Sequence, residues 1–325
     1  MAALNANGHV DVPQPLIWVI RPEGDYLGDF GAHHLGEFCR ENWNYDAPTG
    51  RRLSVRLSWA SVTRPSIRPP LGPSHTMNTT TARLVALVTG GGTGVGRAAV
   101  LQFARRGFDV VINYSRSADD AQTTARDAEK LGIDALVVAC DVANDDQVRA
   151  MVEQCRRRFG HLDVIVNNAG RTHFIDHTNL EAVTEDVWDE ILGVNLKGAF
   201  FVSRAGIPLL QASRGGAIVN VASTAAVSGQ GSSIPYAASK GALITMTKSM
   251  ARSLAPGIRV NAVCPGPIIS RWLSDHPEML DGAIKITPLE RASTTDDVAD
   301  VITFLACDAE MMTGQALIVD GGRTM

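Results

Sequence analysis

A tyrosine and a lysine four residues apart, Tyr236 and Lys240, form a pair of side chains suited to acid–base chemistry. They lie in a long segment of helical composition, where four residues make about one turn, so both side chains leave the same face. A phenol has an unperturbed pKa of about 10, and a neighbouring ammonium favours the phenolate and lowers that pKa. The pair therefore predicts a general acid toward a carbonyl, or a general base toward an alcohol. Because this spacing is common on helices, a surface tyrosine beside a solvated lysine is the alternative.

Two further polar residues, Ser223 and Asn195, are candidates for the same site. Ser223 follows an apolar strand and precedes Tyr236 by 13 residues, which suits a hydroxyl at a strand end facing the next helix. Such a hydroxyl can bind a substrate oxygen as negative charge develops on it. Asn195 lies inside a helical pattern, where asparagine is intrinsically unfavourable, so it is either tolerated or needed.

The segment TGGGTGVG at residues 89–96 is a candidate phosphate-binding loop between a strand and a helix. Glycines allow a tight turn and a close approach of the backbone to a pyrophosphate, while the helix N-terminus supplies N–H donors and a positive dipole. The spacing is TGxxxGxG and not GxGxxG. The sequence predicts that a nucleotide binds this loop, through Gly90, Thr93, Gly94, Val95 and Gly96.

The end of the second strand bears on which dinucleotide is bound. An NAD site of this kind usually has a carboxylate there for the ribose 2′-OH, whereas this chain has Asn113, Tyr114, Ser115 and Arg116. No acid is present to repel a 2′-phosphate, and Ser115 and Arg116 can donate hydrogen bonds to one. NADP(H) is therefore favoured over NAD(H), the alternative being that Arg116 is an ordinary solvated residue at a helix start.

Seven short apolar runs typical of buried strands recur from residue 83 onward, separated by segments whose apolar residues recur at three and four. Strands that are apolar on both faces and alternate with helices imply a parallel sheet covered on two sides. We predict an α/β fold with a doubly wound (Rossmann) parallel seven-stranded sheet, helices on both faces, and one domain over residues 77–325. The runs are RLVALVTG, DVVINY, DALVVACDV, LDVIVNNAG, GGAIVNVAS, GIRVNAVCPG and ALIVDGG.

Residues 1–76 differ in composition and show no sustained period of 2 or 3.6. Their stretch 51–70 is rich in Ser, Arg and Pro, yet seven acidic residues precede it and its prolines would break an amphipathic helix. We expect a disordered or poorly structured N-terminal extension, with Met77 as a candidate working start. A targeting segment and a partner-binding tail are the alternatives.

The overall composition excludes several classes of function. The chain has 325 residues, with 30 Lys and Arg against 34 Asp and Glu, and a formal net charge of −4. That balance lacks the positive field that binding to nucleic acid or anionic membranes usually needs, so a small-molecule partner is expected. The absence of a long apolar run and of a secretory signal predicts a cytoplasmic protein. Neither the five cysteines nor the histidines show metal-ligand spacing, so no metal is expected.

These residues together resemble the short-chain dehydrogenase/reductase family, in its single-domain group. The resemblance covers about residues 82–325, and the matching elements occur in the family's order. One departure is Ser270, which stands where many relatives have a threonine and which keeps the hydroxyl. The matching elements are TGGGTGVG at 89–96, Asp141, NNAG at 167–170, Asn195, Ser223, the Tyr236 and Lys240 pair, PGP at 265–267 and VDGG at 319–322.

The resemblance implies a role for each matching residue. Tyr236 exchanges the proton, Ser223 holds the reacting oxygen, and Lys240 lowers the pKa of Tyr236 and binds the nicotinamide ribose. Asn195 holds a water that connects Lys240 to solvent. The remaining contacts with the dinucleotide are Asp141 and Val142 at the adenine, Asn168, Ala169 and Gly170 on the adenosine side, and Pro265, Gly266 and Ile268 at the nicotinamide.

The activity that this resemblance implies is hydride transfer between NADP(H) and a carbonyl or secondary alcohol, with the ending similar to that of 3-oxoacyl-carrier-protein reductases. An NAD-linked alcohol dehydrogenase and a non-catalytic NADP-binding regulatory protein are the alternatives. Substrate specificity is expected from the loops at residues 171–177, 224–234 and 268–289, the last a candidate lid. Acyl-carrier substrates, sugars, steroids and small keto esters all remain open. The resemblance also implies a homotetramer or homodimer joined through the helices carrying Asn195 and Tyr236.

Overall fold

The computed structural model describes residues 83–213, 215–270 and 277–325, and the backbone of two short strands, β1 (Ile17–Ile20) and β2 (Tyr26–Phe30). These two strands pair antiparallel, a pairing that the sequence pattern did not predict. The rest of the predicted N-terminal extension lies outside the described residues, as do residues 271–276 of the candidate lid. The chain divides into two compact units, Met1–Met77 and Asn78–Met325. The predicted domain boundary at Met77 stays a prediction.

The second unit contains one sheet of seven strands. All six strand pairings are parallel, and the strand order is β5-β4-β3-β6-β7-β8-β9. Each strand lies within one of the seven apolar runs, so the predicted doubly wound parallel sheet is confirmed. The strands are β3 (Val85–Val88), β4 (Asp109–Tyr114), β5 (Ala135–Ala139), β6 (Val164–Asn167), β7 (Gly216–Val221), β8 (Ile258–Pro265) and β9 (Ala316–Val319).

Helices cover both faces of this sheet, because alternate residues of each strand enter two separate apolar clusters. In β3, Ala86 and Val88 pack with Phe103, whereas Val85 and Leu87 pack with Met151 on the opposite face. In the described part of the chain, no helix is both long and apolar enough to cross a bilayer. The helices are α1 (Gly94–Arg105), α2 (Ala118–Glu129), α3 (Asp145–Phe159), α4 (Glu185–Leu192), α5 (Ala199–Gln211), α6 (Ala225–Ser228), α7 (Ile234–Leu254), α8 (Pro277–Lys285) and α9 (Thr295–Thr303).

Helix ends follow the local sequence signals. The side chain of Asn144 accepts a hydrogen bond from the backbone N–H of Gln147 at 3.0 Å and so caps the start of α3. Helices α1, α2 and α3 are followed by Gly107, Gly132 and Gly160, whose φ values are +82°, +83° and +81°. This left-handed backbone favours glycine and ends each of the three helices.

The strand order reverses at the centre of the sheet. The chain proceeds outward from β3 through β4 to β5, and then crosses to the other side of β3 to form β6. In open parallel sheets of this kind, ligands bind in the crevice outside the carboxyl ends of the strands at such a reversal. The loop at residues 89–96 follows β3, and NNAG ends beyond β6, so both lie at this crevice.

Candidate active site

A cavity of about 1070 Å³ opens at the carboxyl ends of the strands. Its volume is at the upper end of the range of about 300–1,000 Å³ that is typical of small-molecule sites. Of the predicted site residues, only Gly96 and Asn195 do not line it. The predicted residues that do are Gly90, Thr93, Gly94, Val95, Asn113, Tyr114, Ser115, Arg116, Asp141, Val142, Asn168, Ala169, Gly170, Ser223, Tyr236, Lys240, Pro265, Gly266 and Ile268.

The three glycines that the sequence singled out have different structural reasons. Gly90 and Gly94 have φ values of +62° and +55°, which side chains rarely adopt. A Cβ on Gly96 would lie 2.2 Å from the carbonyl oxygen of Gly90 and 2.5 Å from Nδ2 of Asn168, so no side chain fits there. A Cβ on Gly94 would meet no heavy atom within 4 Å. The backbone at Gly94 is therefore open to the cavity.

The residues of this loop fit a pyrophosphate. Helix α1 begins at Gly94, and its N-cap residue, Thr93, makes no side-chain hydrogen bond to the first turn. No acidic residue lies in that turn. The backbone N–H groups at the helix start, with the positive end of the helix dipole, are thus presented to the cavity without a competing side-chain acceptor. This arrangement is the one that binds phosphate in dinucleotide folds.

Asn113 holds the loop in place at the end of β4. It is buried, and its Oδ1 accepts a hydrogen bond from the N–H of Gly90 at 3.3 Å while its Nδ2 donates to the carbonyl of Cys140 at 2.9 Å. Its amide thus bridges two neighbouring segments, the glycine loop and the end of β5, although the residue lines the cavity. Ser115 and Arg116 follow it, are exposed, and also line the cavity. Ser115 and Arg116 thus present polar groups at this end of the cavity.

Asn168 has a similar positioning role at the end of β6. Its Nδ2 donates to the carbonyl oxygens of Thr89 at 2.8 Å and Gly90 at 3.2 Å, which ties the glycine loop to NNAG. The carboxylate of Asp141 accepts the N–H of Ala143 at 3.0 Å and so shapes the turn after β5. The sequence predicted both residues as dinucleotide contacts. In the structure, Asn168 ties two loops of the cavity wall together and Asp141 shapes a turn of that wall.

Tyr236 and Ser223 both line the cavity, and the Ser223 hydroxyl is close enough to the phenol to act on its pKa. Oγ of Ser223 also accepts the backbone N–H of Ala225 at 3.1 Å, which fixes the serine at the start of α6. Helix α7 presents the tyrosine, with Pro235 in its first turn. A substrate carbonyl placed between these two hydroxyls would receive two hydrogen bonds on its oxygen.

Lys240 lies beneath the tyrosine and is 3% exposed. Its Nζ donates to the carbonyl of Val221 at 2.7 Å and is 5.7 Å from the centre of the Tyr236 ring. Burial lowers the pKa of Lys240 to about 8. Burial raises the pKa of Tyr236 to about 12, with the hydrogen bond from Ser223 acting in the opposite direction. The expected lowering of the tyrosine pKa by the ammonium is thus not found here, because burial sets the direction of the shift and the opposing effect comes from Ser223.

Asn195 does not line the cavity and lies in a π-helical segment (Gly193–Gly198) between α4 and α5. Its Oδ1 accepts the N–H of Arg171 at 2.7 Å, and its Nδ2 donates to the carbonyl of Arg171 and to Oγ of Ser239, both at 3.0 Å. Ser239 in turn donates to the carbonyl of Tyr236 at 2.7 Å. The side chain therefore links NNAG to the helix of the tyrosine, and its predicted role toward a water stays a prediction.

Of the expected substrate loops, Arg171, Thr172, Phe174, Gln230, Ser232, Ile268, Ser270 and Ala283 line the cavity. Arg271, Trp272 and Leu273 lie outside the described residues. Sequence reasoning missed Arg323, which also lines the cavity. Its position shortly after β9 was an available signal, since the ends of parallel strands carry ligand-binding residues. Among the described residues, no group of three metal-ligating side chains is present.

Comparison with known proteins agrees with this geometry. A family model described as enoyl-(acyl carrier protein) reductase matches residues 90–324. The chain is 41% identical over 241 residues to ketoacyl reductase 2 of the granaticin polyketide synthase from Streptomyces violaceoruber, covering 73% of this chain and 95% of that protein. It is 39% identical over 245 residues to a 3-oxoacyl-acyl-carrier-protein reductase from Staphylococcus aureus, covering 74% and 98%.

A solved structure shows the same fold. The 3-ketoacyl-(acyl-carrier-protein) reductase from Brucella melitensis, complexed with NADH, superimposes with a TM-score of 0.69 at 35% sequence identity. The match covers 74% of this chain and 98% of that one. The extent of these matches, with the strand order and the cavity described above, identifies the family. The chain belongs to the short-chain dehydrogenase/reductase family.

Proposed function

We propose that this chain is an NADP(H)-dependent ketoreductase that reduces a carbonyl to a secondary alcohol. The observation that carries the proposal is the neighbouring pair of hydroxyls of Ser223 and Tyr236 on the wall of the cavity that the glycine loop also lines. The two hydroxyls can act on a reacting oxygen, while the glycine loop at the other end of the same cavity can hold a phosphate. The names of the relatives, which are ketoacyl reductases, support the same reaction class.

In this proposal each residue has a defined part. The bound dinucleotide would supply the hydride. Ser223, with its oxygen held by the N–H of Ala225, turns its own proton toward the substrate oxygen and stabilises the charge that develops there. Tyr236 is a phenol at neutral pH, since its pKa is about 12, and gives its proton to that oxygen. Lys240, held by the carbonyl of Val221, supplies positive charge below the phenol.

A direct test uses Tyr236→Phe beside the unchanged protein. NADPH oxidation is followed with a panel of ketones that includes a 3-oxoacyl thioester, and NADPH binding is measured by fluorescence. We expect turnover to fall by at least about 100-fold while binding persists, since general acid catalysis contributes about 10²–10⁴-fold. If neither protein turns over any ketone and both bind NADPH, the non-catalytic alternative is favoured.

The preference for NADP(H) rests on Ser115 and Arg116, which are exposed at the cavity edge with no acidic residue at the end of β4. The preference predicts a lower KM for NADPH than for NADH, and an Arg116→Ala variant should lose most of that difference. Equal preferences in the two proteins would remove Arg116 from the explanation. The NAD-linked alternative has one observation in its favour, the NADH bound to the relative from Brucella melitensis.

We also propose that the catalytic domain spans residues 77–325 and assembles as a homodimer or homotetramer. Phe200, on the helix that continues from the Asn195 segment, is 40% exposed, which suits an apolar contact between copies. Light scattering of the full chain and of a truncated protein starting at Met77 tests both statements. A folded but monomeric truncated protein would contradict the assembly, and an unfolded one would contradict the boundary.

A further inference from the structure

The guanidinium of Arg323 is a charged group at the cavity that the mechanism above does not use. Arg323 lines the cavity, and its Nη2 is 3.5 Å from Oε1 of Gln230. Its Nε is buried and makes no hydrogen bond. Within the described residues, no carboxylate lies within ion-pair distance of this side chain. A partly buried cation without an anionic partner is costly, which makes an anion from outside the chain a favourable partner.

The segment after β9 is built to hold Arg323 in this place. Asp320 is buried, and its carboxylate accepts the N–H of Gly322 at 2.9 Å, the N–H of Thr324 at 2.9 Å and the hydroxyl of Thr324 at 2.6 Å. The carboxylate is thus engaged by the turn on both sides of Arg323. Gly321 and Gly322 have φ values of +65° and +87°, which let the chain reverse there. Arg323 is therefore fixed at its backbone.

Gln230, the hydrogen-bond partner of Arg323, places the arginine near the reacting groups. Gln230 precedes Gly231, and a Cβ on Gly231 would lie 3.4 Å from Cδ1 of Tyr236, so this loop packs on the tyrosine ring. The same wall is completed by Ser232 and Phe174. Arg323 therefore lies on the side of the cavity where the substrate binds in the proposed reaction, and not at the glycine loop.

The remaining charges of the cavity do not neutralise Arg323. Arg171 is paired with Glu190 at 2.8 Å, and Lys240 donates to a backbone carbonyl. Among the described lining residues, the acidic one is Asp141, which lies after β5. Among the described residues, the substrate end of the cavity is thus positive. A positive, partly desolvated wall favours substrates with a negative group.

We propose that the substrate is a keto acid, whose carbonyl lies between Ser223 and Tyr236 and whose carboxylate pairs with Arg323. The planar guanidinium matches a carboxylate with two parallel hydrogen bonds, and Gln230 orients it from the side. This inference rests on the proposed ketoreductase function and adds its substrate class. It also distinguishes this chain from a reductase whose substrate end takes only a neutral thioester.

The test compares keto acids with their methyl esters, which differ in the negative charge. The probes are 3-oxobutanoate, 4-oxopentanoate and 5-oxohexanoate, each with its ester. With NADPH present, kcat/KM is measured for every pair in the unchanged protein, Arg323→Gln and Arg323→Lys. Arg105→Gln is the matched control, because Arg105 is an exposed residue in the last turn of α1 and its loss changes the net charge equally.

At least one acid should be preferred over its ester, and Arg323→Gln should lower that preference by about 10- to 100-fold, the range for a hydrogen bond to a charged group. Arg323→Lys should retain part of the preference, and Arg105→Gln all of it. Ester reduction should be equal in the unchanged protein and Arg105→Gln, and within each Arg323 variant it is the reference against which the acid is compared. If the unchanged protein reduces esters without preferring any acid, the keto-acid assignment is wrong and the ketoreductase proposal stands. If Arg323→Gln keeps the preference, the pairing of the carboxylate with Arg323 is wrong.

A binding measurement separates the two proposals when turnover is absent. Calorimetric titration of the same acids and esters into the NADPH-loaded proteins reports the carboxylate contact without chemistry. Acid binding that is lost in Arg323→Gln supports the subsite even if no ketone is reduced. Acids that bind no better than esters to the unchanged protein overturn it.

Discussion

Replacing Gly94 by alanine should separate what the glycine loop does for stability from what it does for binding. A Cβ at Gly94 meets no heavy atom within 4 Å, so the added methyl group enters open cavity space and no protein atom must move. The φ of +55° makes alanine unfavourable there by about 1–2 kcal/mol. Part of this is offset by the lower entropy of the unfolded chain, so we expect a net loss of about 1 kcal/mol.

Gly132 is the matched control for this substitution. Its φ is +83°, a Cβ there also meets nothing within 4 Å, and it follows α2 on the exposed surface. Gly132→Ala should therefore cost the same in unfolding free energy, about 1 kcal/mol. It should leave NADPH affinity unchanged, because Gly132 does not line the cavity.

The two variants should differ in their affinity for NADPH. In Gly94→Ala the methyl group occupies the space where a pyrophosphate would approach the first N–H groups of α1. Losing one such charge-assisted hydrogen bond costs about 1.5–3 kcal/mol, so the Kd should rise about 10- to 100-fold. Fluorescence titration with NADPH and urea unfolding measure the two quantities. If both variants bind NADPH as the unchanged protein does, the loop is a structural turn and the phosphate assignment is refuted.

Gly96→Ala should be the more damaging change to the loop, with a loss of about 3 kcal/mol in urea unfolding, because its Cβ would lie 2.2 Å from the carbonyl oxygen of Gly90. Asn220→Ala should lower the free energy of unfolding by about 2–4 kcal/mol, since the buried amide of Asn167 and the buried hydroxyl of Thr247 each lose one of their hydrogen bonds. Burial lowers the pKa of Lys240 from 10.5 to about 8, so the unfolded chain binds more protons than the folded one between these values and stability rises with pH there. From pH 8 to 10.5, the free energy of unfolding of the unchanged protein, measured in urea, should rise by up to about 3 kcal/mol relative to that of Lys240→Met. A difference between the two proteins that stays constant over this range would contradict the lowered pKa of Lys240. Because Lys240 loses its charge above about pH 8, kcat/KM for reduction should fall there. Lys240→Arg, if it folds, should move that fall to higher pH, since the guanidinium keeps its charge.

The sequence predicted the sheet because its strands are buried on both faces. Four consecutive apolar residues, Val85–Val88, can all be buried only if both sides of the strand are covered, and helical segments between the strands supply the cover. The loop at residues 89–96 was predictable for the same local reason, since its glycines adopt backbone conformations or close contacts that other residues resist. Local rules were sufficient for both features.

Other features depend on contacts between distant segments, which a pattern of residue types does not contain. Asn113 was expected to contact the dinucleotide, but its amide bridges the glycine loop and the end of β5. Asn195 was predicted inside a helix, and the π-helical turn there aims its amide at the backbone of Arg171. Arg323 lies 93 residues from Gln230 in the chain, and only the fold brings them together.

The pKa values of Tyr236 and Lys240 bear on the direction of the reaction. From the sequence, the ammonium was expected to acidify the phenol, which would suit proton transfer either way. In the structure, burial disfavours charge on both groups, raising the pKa of Tyr236 to about 12 and lowering that of Lys240 to about 8. At neutral pH the phenol is then protonated and the lysine still carries its charge. This state can donate a proton to a carbonyl oxygen, whereas a phenolate base for alcohol oxidation would be scarce. At neutral pH the site as folded is therefore in the protonation state that reduction requires, and alcohol oxidation is expected to need a higher pH.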